Sequence, residues 1–133
     1  MNNTYIAIDF GASSGRVIAG TIINGRLEME ELHRFPNKPV MLNEMLYWNF
    51  LSLFDEMKTG LRIAGQRGLK INGIGIDTWG VDYGYIDRWG VLFGNPVSYR
   101  NFPNRSSLRI IEGEINTSNH YKRTGIQPIG INT

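Results

Sequence analysis

The hydrophobic residues at the start of the chain alternate with small or polar ones, which is the period of a β-strand. Ile6, Ile8 and Phe10 occupy alternate positions, with Ala7 between two of them, and this pattern predicts a strand. Asp9 is the one charged residue inside it, and a charge in an otherwise apolar strand requires a partner. The chain therefore opens with a strand that carries a carboxylate near its end.

Two further strands are predicted to follow as a meander. Arg16 to Ile23 is strand-like, and Asn24-Gly25 is the dipeptide most typical of a tight β-hairpin, so Arg26 to Phe35 is expected to form the third strand. Pro36 ends this strand, because proline has no N–H group to donate to a sheet. A loop is then expected to run to about Tyr47.

The pattern next changes to the helical period and back again. Apolar residues recur at helical spacing from Phe50 to about Arg67, which predicts a helix packed on the sheet, and Gly68 is a plausible stop signal. Ile71 to Asp77 is predicted to be a second buried strand. Gly73 and Gly75 within it indicate the close approach of another backbone or of a ligand.

The last third of the chain contains weaker signals. Thr78 to Ile86 and Val91 to Phe93 flank a turn at 87–90 and are predicted to form another hairpin. Arg105 to Ile115 carries apolar residues on one face and is predicted to be a second helix. Gly125 to Thr133 is apolar and rich in turn residues, and no closing element follows it. We therefore expect the chain to be part of a larger protein.

The bend that follows the first strand is the first candidate for chemistry. Gly11 and Gly15 bracket Ala12, Ser13 and Ser14, so the backbone N–H groups and two hydroxyls of this Gly-Ser bend can approach an anion closely. Its spacing is neither that of a Walker A loop nor that of the dinucleotide-binding Gly-x-Gly-x-x-Gly motif. Two interpretations remain: a phosphate-binding hairpin beside a metal-facing aspartate, and an ordinary turn capped by an aspartate.

Composition narrows the class of protein. The 133 residues suit one domain, and the 41% hydrophobic and 20% charged content is that of a globular chain. The net charge is +2 and the basic residues are scattered, which argues against binding to nucleic acid. The absence of cysteine excludes disulfides, and no apolar run approaches the roughly 20 residues of a membrane span. We expect a cytoplasmic protein with no membrane partner.

Four segments of the chain together carry a resemblance to a known family: Asp9 to Arg16, His33 to Asn37, Gly75 to Tyr83 and Pro96 to Arg100. In this order they resemble the FGGY carbohydrate kinases of the actin-like ATPase superfamily, and in particular the rhamnulokinase family. The resemblance implies a ribonuclease H-like α/β fold, a mixed sheet with flanking helices. It also implies that residues 1–133 are the N-terminal part of an incomplete first domain, with the second domain outside this chain. Asn101 departs from the aspartate usual in the family.

The resemblance implies a reaction and its cofactors, the ATP-dependent phosphorylation of L-rhamnulose to L-rhamnulose 1-phosphate with Mg²⁺. On this analogy Asp9 holds the metal through water. The residues implied to line the ATP phosphates are Ala12, Ser13, Ser14, Gly15 and Arg16. Such an arrangement is physically reasonable, because phosphoryl transfer depends mainly on positioning and on neutralising charge on the phosphoryl oxygens.

The resemblance also implies a sugar site. Gly80 matches a substrate-binding position of the family, where a missing side chain lets the ketose lie against the backbone, and Trp79 and Asp82 flank it. For Trp79, packing in the core is the favoured alternative, because buried aromatic residues are mostly structural. For Asp82 a binding role is favoured, because a carboxylate on a strand needs a partner.

Several expectations concern what the chain does not contain. No residue matches the general-base aspartate of the family, so the base is expected beyond residue 133 and the chain alone is not expected to turn over. The surface left by the absent domain is a candidate for self-association. Two alternatives stay open: a kinase for another ketose, such as fuculose or xylulose, and a ribonuclease H-like nucleic-acid-acting module. The second alternative would need further carboxylates near Asp9 or a concentrated basic face.

Overall fold

A computed structural model describes residues 3–101 and 117–127 of the chain. Its elements, in chain order, are β1 (Thr4–Phe10), β2 (Ser14–Ile23), β3 (Arg26–Pro36), β4 (Val40–Leu42), β5 (Met45–Tyr47), α1 (Phe50–Gln66), β6 (Ile71–Thr78) and α2 (Thr117–Thr124). The predicted order of strand, strand, strand, helix, strand is therefore confirmed for the main sheet and α1.

The main sheet is mixed. Its strand order is β3-β2-β1-β6; β1, β2 and β3 run antiparallel as a meander, and β6 lies parallel to β1. The hairpin between β2 and β3 turns at Asn24 and Gly25, both of which have positive φ (51° and 76°), as a type I′ turn requires. Since β1 and β6 are parallel, their carboxyl ends lie side by side at one edge of the sheet.

Helix α1 covers one face of the sheet. Its Asn49 cap accepts a hydrogen bond from the Ser52 N–H, and Gly68, at φ 68°, follows its last turn. Ala64 is fully buried, and the helix packs on Ile6, Ile8, Val17, Ala19, Leu32 and Phe35 of the three-stranded meander. The predicted helix and its stop signal are confirmed.

Gly60 lies at a close contact between α1 and the sheet. A Cβ atom at this position would lie 2.4 Å from Val17 Cγ2 and 2.6 Å from Val17 Cβ. Helix propensity alone describes Gly60 as a weakness in the helix interior. The structure gives it a packing role instead, because only glycine leaves room for the Val17 side chain.

The prediction that the strand Ile71 to Asp77 is buried is wrong for the residues that the structure describes. Ile74 and Ile76 are 53% and 60% exposed. The reason is topological: β6 is an edge strand, and α1 packs over β2 and β3 instead. A run of alternating isoleucines shows that a strand is apolar but does not show which element covers it.

Two loops also differ from expectation. The segment before Tyr47 was predicted to be a loop but contains the β4–β5 hairpin, whose turn residues Asn43 and Glu44 have positive φ (47° and 64°) without a glycine. The predicted hairpin around 87–90 is reduced to its turn, one bridge between Ile86 and Leu92, and hydrogen bonds beside it. Most of Thr78 to Tyr85 is not in a strand.

The second helix predicted from sequence, Arg105 to Ile115, lies outside the described residues. Helix α2 follows it and was not predicted, because its eight residues are mainly polar. No helix in the described ranges combines the length and the hydropathy needed to cross a membrane.

Replacement of Gly60 by alanine tests the close approach of α1 to the sheet. We expect Gly60→Ala to lower the free energy of unfolding by about 1 to 3 kcal/mol, because the new methyl group overlaps Val17. Gly65→Ala in the same helix is the matched control: open space surrounds the Cβ position there, so the variant should gain up to about 1 kcal/mol from helix propensity. Urea denaturation measures both, and an equal response of the two variants would contradict the packing role.

Candidate functional site

The predicted site residues lie at the edge of the sheet where β1 and β6 end. Asp9 pairs in register with Asp77, and Phe10 pairs with Thr78. The Gly-Ser bend leaves from β1, and the segment with Trp79, Gly80 and Asp82 leaves from β6, so parallel pairing brings the two together. Ligands of sheets that contain parallel strands commonly bind at the carboxyl ends of those strands.

The Gly-Ser bend is a tight connection between β1 and β2. The Gly11 N–H donates to the Ser14 carbonyl oxygen at 3.0 Å, and a Cβ atom on Gly11 would lie 2.6 Å from that same oxygen. Gly11 is therefore required by the turn itself. Ala12 and Ser13 form the tip, and Ser14 is the first residue of β2.

Asn37 fixes the bend from behind. It is 5% exposed, donates its backbone N–H to the Ser13 carbonyl oxygen at 3.0 Å, and donates Nδ2 to the Gly11 carbonyl oxygen at 2.9 Å. Because carbonyl oxygens repel anions, occupying them in this way favours an anion on the other side of the bend. Sequence reasoning noted Asn37 only as part of a motif; the signal was a polar residue directly after a strand that ends in proline.

Gly15 has a structural explanation of its own. A Cβ atom on Gly15 would lie 2.2 Å from Cζ of Phe35, a buried residue whose ring also packs edge-on against Phe10. The missing side chain at Gly15 is thus required by the core below the bend. Its implied place near the ATP phosphates stays a prediction about its backbone.

Asp9 has the partner that the sequence required. Arg16, directly opposite it on β2, forms an ion pair with Asp9 through Nη2 and Oδ2, and both side chains are about two-fifths exposed. Within residues 3–101 and 117–127, no group of three or more histidines and carboxylates is placed to hold a metal ion. A metal ion at Asp9 would need further ligands, and water or the oxygens of a bound ligand could supply them. A nuclease site would need several converging carboxylates, and the part of the chain that the structure describes does not group three of them around Asp9.

Asp82 lies between two tryptophans. The indole Nε1 of Trp79 donates to Asp82 Oδ2 at 2.8 Å, and Nε1 of Trp48 donates to the same oxygen. The two rings are 4.3 Å apart, and Trp48 is 1% exposed. The partner expected for Asp82 is thus an indole pair, and Trp79 both packs against the core and orients the carboxylate.

Sequence reasoning missed Trp48. It lies between β5 and α1, 34 residues before Asp82. A buried indole N–H needs an acceptor, and that requirement was the available signal, but the sequence does not show which carboxylate meets it.

A hollow of about 430 Å³ opens beside this cluster. It lies on the α1 side of the sheet, and its walls come from the end of β1, from β6, from α1, from Trp79 and from residues 82–84. The lining residues include Phe10, Leu53, Phe54, Met57, Thr78, Trp79, Asp82 and Tyr83. By strand alternation Asp9 faces the opposite side from Phe10, so the hollow and the Asp9–Arg16 pair occupy the same edge but different faces.

Gly80 is not among the residues that line this hollow. It is exposed, and nothing lies within 4 Å of a Cβ atom built on it. Steric crowding among the described residues therefore does not explain why position 80 is a glycine. Its implied contact with the substrate remains a prediction.

Tyr83, which lines the hollow, contacts a second tyrosine, Tyr85. Tyr83 and Tyr85 are both exposed, and their rings meet edge to face at 5.5 Å. The hydrogen bond from Tyr83 raises the pKa of Tyr85 above its usual value. At neutral pH this phenol is therefore a neutral hydrogen-bonding group.

Comparison of sequences identifies similar proteins, although no family model matches the chain. A rhamnulokinase of Bacteroides thetaiotaomicron is 37% identical over 133 residues, which is 100% of this chain and 27% of that protein. Rhamnulokinases of Ligilactobacillus salivarius and Klebsiella pneumoniae strain 342 are 38% and 39% identical, covering 97% and 96% of the chain and 27% of each relative. The chain thus spans about a quarter of the length of the curated relatives it matches.

Comparison of structures gives the same fold. A gluconate kinase from Lactobacillus acidophilus superposes with a TM-score of 0.76 at 13% identity, covering 98% of this chain and 26% of that one. A Plasmodium falciparum glycerol kinase with ADP superposes with a TM-score of 0.75 at 14% identity, covering 98% and 27%. The resemblance inferred from the four segments is confirmed, and the chain has the fold of part of an FGGY carbohydrate kinase.

Removal of the Asp82 carboxylate tests the tryptophan cluster. Asp82→Ala leaves the buried Trp48 N–H without its acceptor, so we expect the free energy of unfolding to fall by about 1 to 3 kcal/mol. Asp82→Asn keeps an acceptor oxygen and should recover part of this loss. Asp55→Ala, on the exposed face of α1, is the control and should change stability little. Equal unfolding free energies for the Asp82→Ala variant and the unmodified chain would show that the indoles do not depend on this carboxylate.

Proposed function

We propose that this chain is the N-terminal part of an ATP-dependent sugar kinase, and that the complete enzyme phosphorylates L-rhamnulose to L-rhamnulose 1-phosphate. The observation that carries the proposal is the combination of two facts. The chain is 37% to 39% identical to three curated rhamnulokinases over almost its whole length. In addition, an anion-compatible bend and a hollow with a carboxylate lie at one edge of the sheet.

The Gly-Ser bend is the proposed contact for the ATP phosphates. Ala12, Ser13 and Ser14 would supply backbone N–H groups and hydroxyls, with the Gly11 and Ser13 carbonyl oxygens already held by Asn37. Gly15 would contribute its backbone only. This is the donor-rich surface that a phosphate chain requires.

Arg16 and Asp9 would act as a charged pair that a nucleotide can separate. Each holds the other in the structure, and a magnesium–phosphate unit offers a negative group to Arg16 and a positive one to Asp9. Asp9 would then hold Mg²⁺ through water. The metal, when bound, neutralises negative charge on the phosphoryl oxygens.

The hollow beside Asp82 is the proposed sugar site. Asp82 Oδ2 already accepts two indole N–H groups, but a carboxylate has about four acceptor positions in total, so it retains capacity for sugar hydroxyls. Trp79 and Phe10 give the hollow apolar walls. Gly80 follows Trp79 but does not line the hollow, so it would contact only a part of the ketose that extends past Trp79, and there it would let the sugar lie against the backbone.

The remaining parts of the reaction are proposed to lie outside this chain. We expect the general-base aspartate, the adenosine-binding residues and the second domain beyond residue 133, so the 133-residue chain should not turn over alone. The cytoplasm is the proposed location, by similarity to sugar kinases.

A coupled kinase assay on the complete enzyme tests the function. With Mg-ATP we expect L-rhamnulose to be preferred over L-fuculose and D-xylulose. Asp9→Asn should lower activity by about 10- to 100-fold, the usual effect of losing a group that holds a metal through another ligand, whereas Asp55→Asn should not. If the enzyme prefers another ketose, the proposed kinase function stands and the proposed substrate is wrong. If none of the three sugars causes ADP formation, the proposed function is wrong. If the isolated 133-residue chain turns over robustly, the proposal that the general base lies beyond residue 133 is wrong.

A further inference from the structure

Arg100 connects the two halves of the candidate site. Its Nη2 lies 3.4 Å from the Ser13 hydroxyl at the tip of the Gly-Ser bend. The centre of its guanidinium group lies 5.6 Å from the ring centroid of Trp48, whose indole holds Asp82. One cation therefore lies between the Gly-Ser bend and the tryptophan that holds Asp82.

The loop that carries Arg100 is firmly anchored. Asn101 binds β5 through its amide: Oδ1 accepts from the Leu46 N–H at 2.6 Å, and Nδ2 donates to the Leu46 carbonyl oxygen at 2.7 Å. Ser98 is 1% exposed, donates its N–H to Leu46, and accepts from the Arg100 N–H at 3.2 Å. The departure from the family at Asn101 thus supports the loop, because the amide supplies a donor and an acceptor together.

Arg100 also has unused binding capacity. Across residues 3–101 and 117–127, no carboxylate lies within ion-pair distance of it, whereas Arg16 is already paired with Asp9. The rings of Trp48 and Tyr99 lie beside the guanidinium group and fix its position without neutralising its charge. An arginine has five N–H donors in a fixed plane that suits phosphate oxygens.

We propose that Arg100 binds the terminal phosphoryl group of the nucleotide at the boundary between the Gly-Ser bend and the Asp82 hollow. This inference rests on the proposed kinase function. In phosphoryl transfer, negative charge is spread over the equatorial oxygens of the transferred group, and an arginine placed there stabilises it. Arg100 lies where that group would move from nucleotide to sugar, so it would act on the transferred phosphoryl group more than on the rest of the triphosphate.

Binding of inorganic tripolyphosphate to the 133-residue chain tests the site without catalysis. Arg100→Gln keeps a polar side chain and removes the charge, and we expect it to weaken binding by about 10- to 100-fold, the loss of one charge-assisted contact. Arg88→Gln is the matched control, because Arg88 also lies over a tryptophan ring, at 4.1 Å from Trp89, but belongs to the 87–90 turn. It should bind as the unmodified chain does.

Isothermal titration calorimetry gives the affinities, and unfolding curves of the variants show whether each is folded. If the unmodified chain does not bind tripolyphosphate, or if the Arg100 and Arg88 variants bind alike, the inference is wrong. An Arg100→Gln variant that unfolds more easily is replaced by Arg100→Lys, which keeps the charge but loses the planar fork and should bind with intermediate affinity.

Turnover of the complete enzyme separates this inference from the proposed function. We expect Arg100→Ala to lower kcat far more than it raises KM for the sugar, and added guanidinium ion to restore part of the rate, which a purely structural role would not produce. If the unmodified enzyme is active and the Arg100 variant has the same kcat, the inference is wrong and the proposed kinase function is unaffected. An inactive unmodified enzyme would refute the proposed function itself.

Discussion

The parallel pairing of β1 with β6 is the contact on which the candidate site depends. It sets Asp9 beside Asp77 and Phe10 beside Thr78, and the residues of each pair are 68 positions apart in the sequence. Antiparallel pairing would have sent the Gly-Ser bend and the Trp79–Asp82 segment to opposite ends of the sheet. The parallel arrangement makes one edge of the sheet carry both an anion-compatible bend and a carboxylate beside a hollow.

Around that edge, buried polar groups hold one another in place. Asn37 satisfies the carbonyl oxygens of Gly11 and Ser13, the indoles of Trp48 and Trp79 share one oxygen of Asp82, and Asn101 ties its loop to Leu46. Each contact exists because a buried polar atom without a partner is costly. Together they support the groups that would contact a ligand, as a preorganised site requires.

The sequence predicted best where the determinants are local. The Asn24-Gly25 turn, the strands beside it and the helix from Phe50 were all predictable, because backbone preference and periodicity act over a few residues. The β4–β5 hairpin was missed because Asn43 and Glu44 adopt positive φ without the glycine that usually marks it. The burial of β6 was misjudged because it depends on which element covers the strand. In the site, the sequence marks Asp9 and Asp82 as charges that need partners. The partner of Asp9 is local, because Arg16 lies opposite it on the next strand. The partner Trp48 of Asp82 is 34 residues away, and only the tertiary fold brings the two together.

The contact between Gly60 and Val17 also has an evolutionary consequence. Because the two positions share one space, neither can gain volume unless the other loses it, so they should change as a pair among descendants of this sequence. A larger residue at 60 should occur together with alanine or glycine at 17. At position 65 of the same helix, where open space surrounds the Cβ position, substitutions should accumulate independently of the sheet.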